Sequence, residues 1–468
     1  MKIHFIGICG VAMGSLALAM KNQGHDISGS DVGFFPPLST FLNEHQINYY
    51  PGWHVEKMIK NGNPDLVVVG NVAASSNPEW LYVQEKKLDY VSYPELIEKF
   101  FITKNNIVCA GTYGKTSTTA LLAFILKEND LNPNYMFGGL SQEKKFLAAE
   151  INGGNFSVLE GDEYKSSRWD EKAKFFHYHP THLLLTALKW DHADIYKTEK
   201  DYFAAFQSLV NNLKKDSLLI LSEDLKSGPL KFSNLKIKTY GKNLTADYFY
   251  SDLKQTTDGI EFQINFTEKN NKQKIKINSP LLGDYMAENI TACFSLAHEI
   301  GLDTKKIIAS IKKFSGLKRR MEKILDKDVV IIDDIAHSPI KANSVLKNLK
   351  KTYQGKIYAI FEPNTGNRKN AATSAYQNSF IDADEVIIPK LTQIKIDPND
   401  LEPPFDGKKL KEIIAKSHKN CLYIEDDEKL VSYLIKKLRK NDVIVFLGSH
   451  GFRGMIDNLK NKLDKKLI

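Results

Sequence analysis

The order of apolar and polar positions along the chain predicts strands alternating with helices over most of its length. Near the N terminus, residues 3–6 are an apolar strand, a helical pattern opens at Val11, and further strand-like runs lie at 26–30 and 65–70. This alternation reads as a doubly wound, Rossmann-like domain over residues 1–103. A second domain, 104–316, opens with the strand 106–110 and carries apolar strands at 156–159 and 182–186. Between 236 and 279 the period falls to two around Asp258-Gly259, which predicts an antiparallel insertion at the edge of a parallel sheet. The third domain, 317–468, returns to apolar strands at 329–332, 356–361, 385–388 and 442–447, spaced for right-handed helical crossovers. The fold class is α/β: three domains, the outer two Rossmann-like and the central one of P-loop ATPase type.

The most informative stretch is Val108-Cys-Ala-Gly-Thr-Tyr-Gly-Lys-Thr-Ser-Thr118, a loop between a predicted strand and a predicted helix. Gly111 and Gly114 let the backbone turn tightly and aim N–H groups at phosphate oxygens, with Thr112 between them and Ser117 after them in the same loop. Lys115 adds a mobile cation and Thr116 a hydroxyl suited to Mg²⁺. Only two residues separate the glycines, fewer than in the full Walker A spacing. The strand before the loop and the helix after it still predict ATP binding. Glu160-Gly-Asp-Glu-Tyr164 sets three carboxylates directly after a strand, where a cation is their natural partner; Glu160 is the candidate Mg²⁺ ligand. Trp190-Asp-His-Ala-Asp194 follows another strand, and His192 is read either as a metal ligand or as a group that orients phosphate.

Two further loops carry candidate groups. Gly7-Ile-Cys-Gly-Val-Ala-Met-Gly14 resembles a dinucleotide fingerprint with its second glycine displaced by Cys9. It either presents Gly7, Cys9, Gly10 and Met13 to a diphosphate, with Asp31 reaching a ribose or base, or is a packing turn. In the last domain, Asp333-Asp-Ile-Ala-His-Ser-Pro339 again ends a strand in acid and imidazole. Ahead of it, Arg319-Arg-Met-Glu322 offers bidentate donors to phosphate or carboxylate, or an interdomain ion pair.

The 468 residues, 42% hydrophobic and 26% charged, exceed one core and exclude disorder as the default. The net charge of +8 is spread over lysines on helical faces, which argues against a nucleic-acid partner and leaves weak steering of small anions. Four scattered cysteines suit a reducing, cytoplasmic setting. The apolar stretch 3–20 mimics a signal peptide, but Gly7, Gly10 and Gly14 interrupt it as a strand-turn-helix would, and no stretch has the length of a membrane span.

Taken in order, these segments resemble the Mur ligases, ATP-dependent enzymes that form amide bonds on UDP-N-acetylmuramic acid, and the resemblance spans the chain. It implies that Lys115 binds the β- and γ-phosphates, that Thr116 and Glu160 hold Mg²⁺, and that His192 completes the metal or phosphate site. It further places Asn289 at adenine, Arg320 at the phosphates, and Asp334 with His337 on the ribose or base side. The N-terminal domain would take the UDP-sugar, Asn71 included. Pro36-Pro-Leu-Ser-Thr40, Lys174-Phe-Phe-His-Tyr178 and Gly451-Phe452 point within the family to the tripeptide L-alanyl-γ-D-glutamyl-meso-diaminopimelate as acceptor; L-alanine is the alternative. Tyr113, Lys189 and Tyr285-Met286 depart from the family pattern and raise a third reading, a catalytically silent UDP-sugar-binding regulator. The family arginine after Pro363 is absent, so either Arg368 takes the acceptor carboxylate in its place or the acceptor differs. A monomer or weak homo-oligomer is expected.

Overall fold

The computed structural model describes residues 1–34, 38–71, 73–190, 195–392 and 403–466. Five strands, β1 (Lys2–Ile6), β2 (Asp26–Asp31), β3 (Asn48–Pro51), β4 (Leu66–Val69) and β5 (Tyr90–Ser92), form a sheet of order β3-β2-β1-β4-β5. Every pairing in it is parallel. The order reverses between β1 and β4, so the loops after these two strands flank the crevice where such sheets take ligands.

The second sheet has ten strands: β6 (Asn105–Ala110), β7 (Asn134–Met136), β8 (Ala149–Glu150), β9 (Phe156–Gly161), β10 (His182–Leu185), β11 (Leu218–Ser222), β12 (Lys236–Gly241), β13 (Tyr248–Thr256), β14 (Gly259–Glu268) and β15 (Asn271–Ser279). They run in the order β15-β14-β13-β12-β11-β10-β6-β9-β7-β8. The inner strands β6, β9, β10 and β11 pair in parallel, and residues 107–110, 183–185 and 218–221 are buried, as strands covered on both faces must be. Turns of two residues join β13 to β14 at Thr257-Asp258 and β14 to β15 at Lys269-Asn270, and Lys269 and Asn270 have positive φ. Turns this short connect antiparallel neighbours, so the insertion is the hairpin edge that the alternating pattern predicts. The helix Lys115–Glu128 is buried from Thr116 to Leu126 and packs on the helix Tyr285–Glu299, which explains its uninterrupted small and apolar residues.

The third sheet joins β16 (Glu322–Asp326), β17 (Val330–Asp334), β18 (Ile357–Glu362), β19 (Glu385–Ile388), β20 (Cys421–Tyr423) and β21 (Val443–Gly448) in the order β16-β17-β21-β18-β19-β20, with only β16 antiparallel. Its strands divide their side chains between two cores: Ile332, Ala359 and Val445 enter one, Ile331, Ile360 and Ile444 the other. Helices Pro339–Thr352 and Gly407–Ala415 cover the first face, and Asp427–Lys437 and Met455–Lys466 the second. By compactness the chain divides into two units. The first, residues 1–253, 261–280 and 285–315, holds the first two sheets; the second, residues 254–260, 281–284 and 316–468, holds the third. One apolar core runs from Ile3 and Phe5 of the first sheet to Val108 and Leu159 of the second.

Candidate active site

In the first unit, β6 and β9 are neighbours in register, Cys109 opposite Glu160 and Ala110 opposite Gly161. Their C-terminal ends therefore bring the glycine-rich loop and the acidic turn to one rim. Gly111 has φ +140°, and a Cβ there would lie 2.0 Å from Thr186 Oγ1; Gly114 has φ +85° and caps the helix Lys115–Glu128. Both positions need glycine. The Thr112 side chain ties the loop to the chain after β10: its hydroxyl donates to the Lys189 carbonyl, accepts from the Lys189 N–H and contacts Tyr202 Oη, each at 2.8 Å. Lys189 itself is exposed.

Lys115 Nζ donates to the Gly111 carbonyl at 2.6 Å and sits 3.0 and 2.8 Å from the two oxygens of the buried Glu163. Thr116 Oγ1 donates to Glu160 Oε1 at 2.8 Å, and the Gly138 N–H donates to Glu160 Oε2 at 2.6 Å. A hydroxyl and a carboxylate oxygen at this separation are the hard donors that Mg²⁺ takes beside phosphate, so the residues present fit that ion. Ser117 is buried in the same turn. Asn289 packs over the loop: a Cβ on Gly114 would lie 2.7 Å from its Oδ1, while its Nδ2 donates to Met286 Sδ at 3.6 Å. Asp191, His192 and Asp194 lie outside the described residues, as do Pro36 and Pro37.

In the same unit a cavity of about 220 Å³ is lined by Ala12, Met13, Gly70 and Asn71 from the first sheet's rim and by Gly138, Glu160, Asp162 and Lys174 from the second's. It opens where the crevice of the first sheet meets the rim that carries the glycine-rich loop. Burial pushes the Asp162 carboxyl up, but the Lys174 ammonium, the Tyr164 N–H and Lys115 outweigh it and hold it below the usual carboxylate range. Gly7 has φ +90°, and the N–H groups of Gly7 and Ile8 both donate to the Ser30 carbonyl. Gly10 caps the helix Val11–Asn22. The Asp31 carboxylate accepts from the N–H groups of Cys9 (2.9 Å) and Val32 (2.7 Å), so it braces the loop it faces. Burial, with Asp31 adding, pushes the Cys9 thiol up to about 12. Asn71 Nδ2 donates to the Lys165 carbonyl at 3.4 Å.

The second unit gathers its candidates at the C-terminal ends of β17, β21 and β18. Asp334 is buried and spends both oxygens on the chain, on the N–H groups of Met321 and Ala336, each at 2.8 Å. His337 Nδ1 lies 2.8 Å from the Ile335 carbonyl. Arg320 is half-buried and close enough to Asp334 to lower its carboxyl, which burial, the larger effect, raises. The neighbouring Arg319 carries the denser network. It has φ +59°, reaches Asp333 at 3.3 Å, and donates to the carbonyls of Gly448, Ser449 and His450. Burial, with Glu322 and Asp334 adding to it and Arg319 opposing, raises the Asp333 carboxyl to about 7. Arg368 donates to the carbonyls of Phe405 (2.8 Å) and Thr392 (3.4 Å).

Sequence reasoning missed Glu163, Lys174 and Arg319 as individuals. The acidic turn named the first only as part of a cluster, and no local spacing tells which member of a cluster meets which cation.

Comparison with known proteins agrees with this arrangement. Residues 2–104 match "Mur ligase family, catalytic domain", 109–297 "Mur ligase middle domain" and 319–450 "Mur ligase, glutamate ligase domain". The chain is 27% identical to the UDP-N-acetylmuramate–L-alanyl-γ-D-glutamyl-meso-2,6-diaminoheptandioate ligase of Escherichia coli, covering 100% of this chain and 99% of that one. It is 30% identical to the UDP-N-acetylmuramate–L-alanine ligase of Streptococcus agalactiae, covering 95% and 94%. The structure of the UDP-N-acetylmuramate–alanine ligase of Thermotoga maritima superposes over 100% of both chains with a TM-score of 0.81 at 22% identity. The chain belongs to the Mur ligase family. It has that family's three-domain α/β fold and is an ATP-dependent ligase that forms amide bonds. Among the described residues, no helix is long and apolar enough to cross a membrane.

Proposed function

We propose that this chain joins the tripeptide L-alanyl-γ-D-glutamyl-meso-diaminopimelate to the lactyl carboxylate of UDP-N-acetylmuramate, with cleavage of ATP. The observation that carries the reading is the pairing of Thr116 with Glu160 and of Lys115 with Glu163 beside a cavity whose other wall is Met13, Gly70 and Asn71. A carboxylate delivered from the first sheet meets the phosphate loop there. The turn of Gly7, Cys9 and Gly10, whose own N–H groups are bonded within the chain, leads into the N terminus of the helix Val11–Asn22, where the diphosphate binds; Asp31 keeps this loop in shape, and Met13 and Asn71 line the path of the sugar.

Gly111, Thr112, Gly114 and Ser117 shape the ATP loop, Lys115 reaches the β- and γ-phosphates, and Asn289 meets adenine. Thr116 and Glu160, with His192, would hold Mg²⁺, which would supply positive charge to offset that of the phosphates. A carboxylate oxygen of the sugar then attacks the γ-phosphorus and ADP leaves. The acceptor nitrogen attacks the resulting acyl phosphate through a tetrahedral intermediate, phosphate leaves, and the nitrogen gives up its proton. Such a route asks the protein for positioning and charge rather than for a nucleophile. In the domain 317–468, Arg320, Asp334 and His337 serve the nucleotide and Arg368 fixes the acceptor side.

Two supports favour the tripeptide: the match over the full length of the Escherichia coli tripeptide ligase, and the segments around Cys9, Lys174 and Gly451-Phe452. The comparable identity to L-alanine ligases supports L-alanine as the second reading. The acyl-phosphate route is tested by turning over UDP-N-acetylmuramate labelled with ¹⁸O in its carboxylate. One ¹⁸O in each phosphate released is expected; unlabelled phosphate would overturn the route.

A further inference from the structure

The cavity between the first sheet's rim and the phosphate-loop rim has two carboxylates in its lining, Glu160 and Asp162, and a single cation, Lys174. Lys174 opens the short turn Lys174–His177, which is pinned to the acidic turn by two backbone hydrogen bonds, Lys174 N–H to the Tyr164 carbonyl (2.9 Å) and Phe175 N–H to the Asp162 carbonyl (3.2 Å). Its side chain is 13% exposed, and its ammonium contacts Asp162 while lying 5.5 Å from the Tyr93 ring and 5.9 Å from the Tyr164 ring. The rings and the short tether fix the direction of the side chain. An ammonium has three N–H donors. Among the described residues the Asp162 carboxylate is its one hydrogen-bond acceptor, so donor capacity is left on a cation that lines a cavity.

An anion entering this space meets two fixed negative charges in a poorly screened setting, and a neutral molecule does not. A carboxylate is therefore admitted only where a cation receives it. We propose that Lys174 is a substrate-binding residue that takes the carboxylate of the nucleotide sugar, and so separates UDP-N-acetylmuramate from nucleotide sugars without a carboxylate. The inference rests on the reading that the first unit binds a UDP-sugar, and it assigns recognition of the reacting group to a residue outside the phosphate loop. The competing account is that Lys174 serves only as the counterion of Asp162.

The two accounts separate in a double-mutant cycle read by calorimetric binding, without ATP, of UDP-N-acetylmuramate and of UDP-N-acetylglucosamine, which lacks the carboxylate. The proteins are wild type, Asp162→Asn, Lys174→Gln and the double variant, each with its melting temperature. Removing both charges leaves no unpaired buried ion, so the double variant keeps the test open if Lys174→Gln alone fails to fold. The expected result is that wild type and Asp162→Asn prefer UDP-N-acetylmuramate by about tenfold or more, the scale of a charge-assisted hydrogen bond, and that the double variant loses the preference. In all proteins the affinity for UDP-N-acetylglucosamine should stay within about threefold, a change too small for a lost charged contact. A double variant that keeps the wild-type preference, or a wild type that binds both sugars equally, would overturn the role of Lys174. A wild type that binds neither would overturn the UDP-sugar reading beneath it.

Discussion

At the scale of single residues, the chemistry turns on how few groups hold the phosphate-loop lysine. Lys115 is poised on Gly111 and Glu163 and is the one cation of the loop. Lys115→Ala should lower turnover by about a thousandfold, the cost of losing a positioned charge at a transferring phosphate, while leaving the affinity for UDP-N-acetylmuramate unchanged. Steady-state kinetics set beside calorimetric binding check both halves. Gly114 faces two constraints at once, a left-handed backbone and the Asn289 side chain 2.7 Å from any added Cβ. Gly114→Ala should cost about 1–2 kcal/mol of stability from the backbone alone. It should also raise KM for ATP by displacing Asn289, read from thermal melts and ATP titration.

The loop was legible in the sequence because its chemistry is local: glycines, lysine and threonine act within six residues. Arg319 was not, since choosing it over Arg320 depends on which of two adjacent side chains the left-handed turn aims at the carbonyls after β21. Asp31 and Asp334 were legible as positions at strand ends. Their use as braces for backbone N–H groups follows from loop shape, which residue type does not encode.

At the scale of elements, short turns and loops are held by a few charged pairs. The turn Lys174–His177 shows the pattern: His177 sits between Glu98 (3.0 Å), in the helix Tyr93–Phe100, and Asp170 (2.7 Å). Burial alone would lower the His177 pKa, but its bonds to Glu98 and Asp170 outweigh burial and leave it raised. Glu98 is shifted the other way, below the usual range, as the bonds from His179 and His177 overcome its own burial. A raised histidine stabilises fully below its unfolded value and loses that contribution as pH rises through the folded one; a depressed carboxylate loses its share as pH falls. His177→Gln should therefore destabilise the protein more at pH 6 than at pH 9, and denaturant midpoints at both values measure the difference. Equal midpoint shifts at the two pH values would contradict it. The alternating segments predicted the strands well, because an apolar run between helices has few other uses. The pairing of the turn Lys174–His177 with the helix Tyr93–Phe100 was not visible, since it joins side chains about eighty positions apart through the packing of two sheets.

At the scale of the whole molecule, three sheets fall into two compact units, and the strand-end rims within each carry the candidate groups. The sequence reading of three α/β domains follows from counting strand-helix repeats. That the first two sheets share one apolar core is a property of packing, which the repeats do not report. The central claim is that this ligase attaches a peptide to UDP-N-acetylmuramate, and the acceptor tests it most directly. Phosphate release should be measured with ATP, Mg²⁺ and UDP-N-acetylmuramate, adding either L-alanyl-γ-D-glutamyl-meso-diaminopimelate or L-alanine. The account predicts release that depends on the tripeptide; release driven by L-alanine, or by neither acceptor, would contradict it.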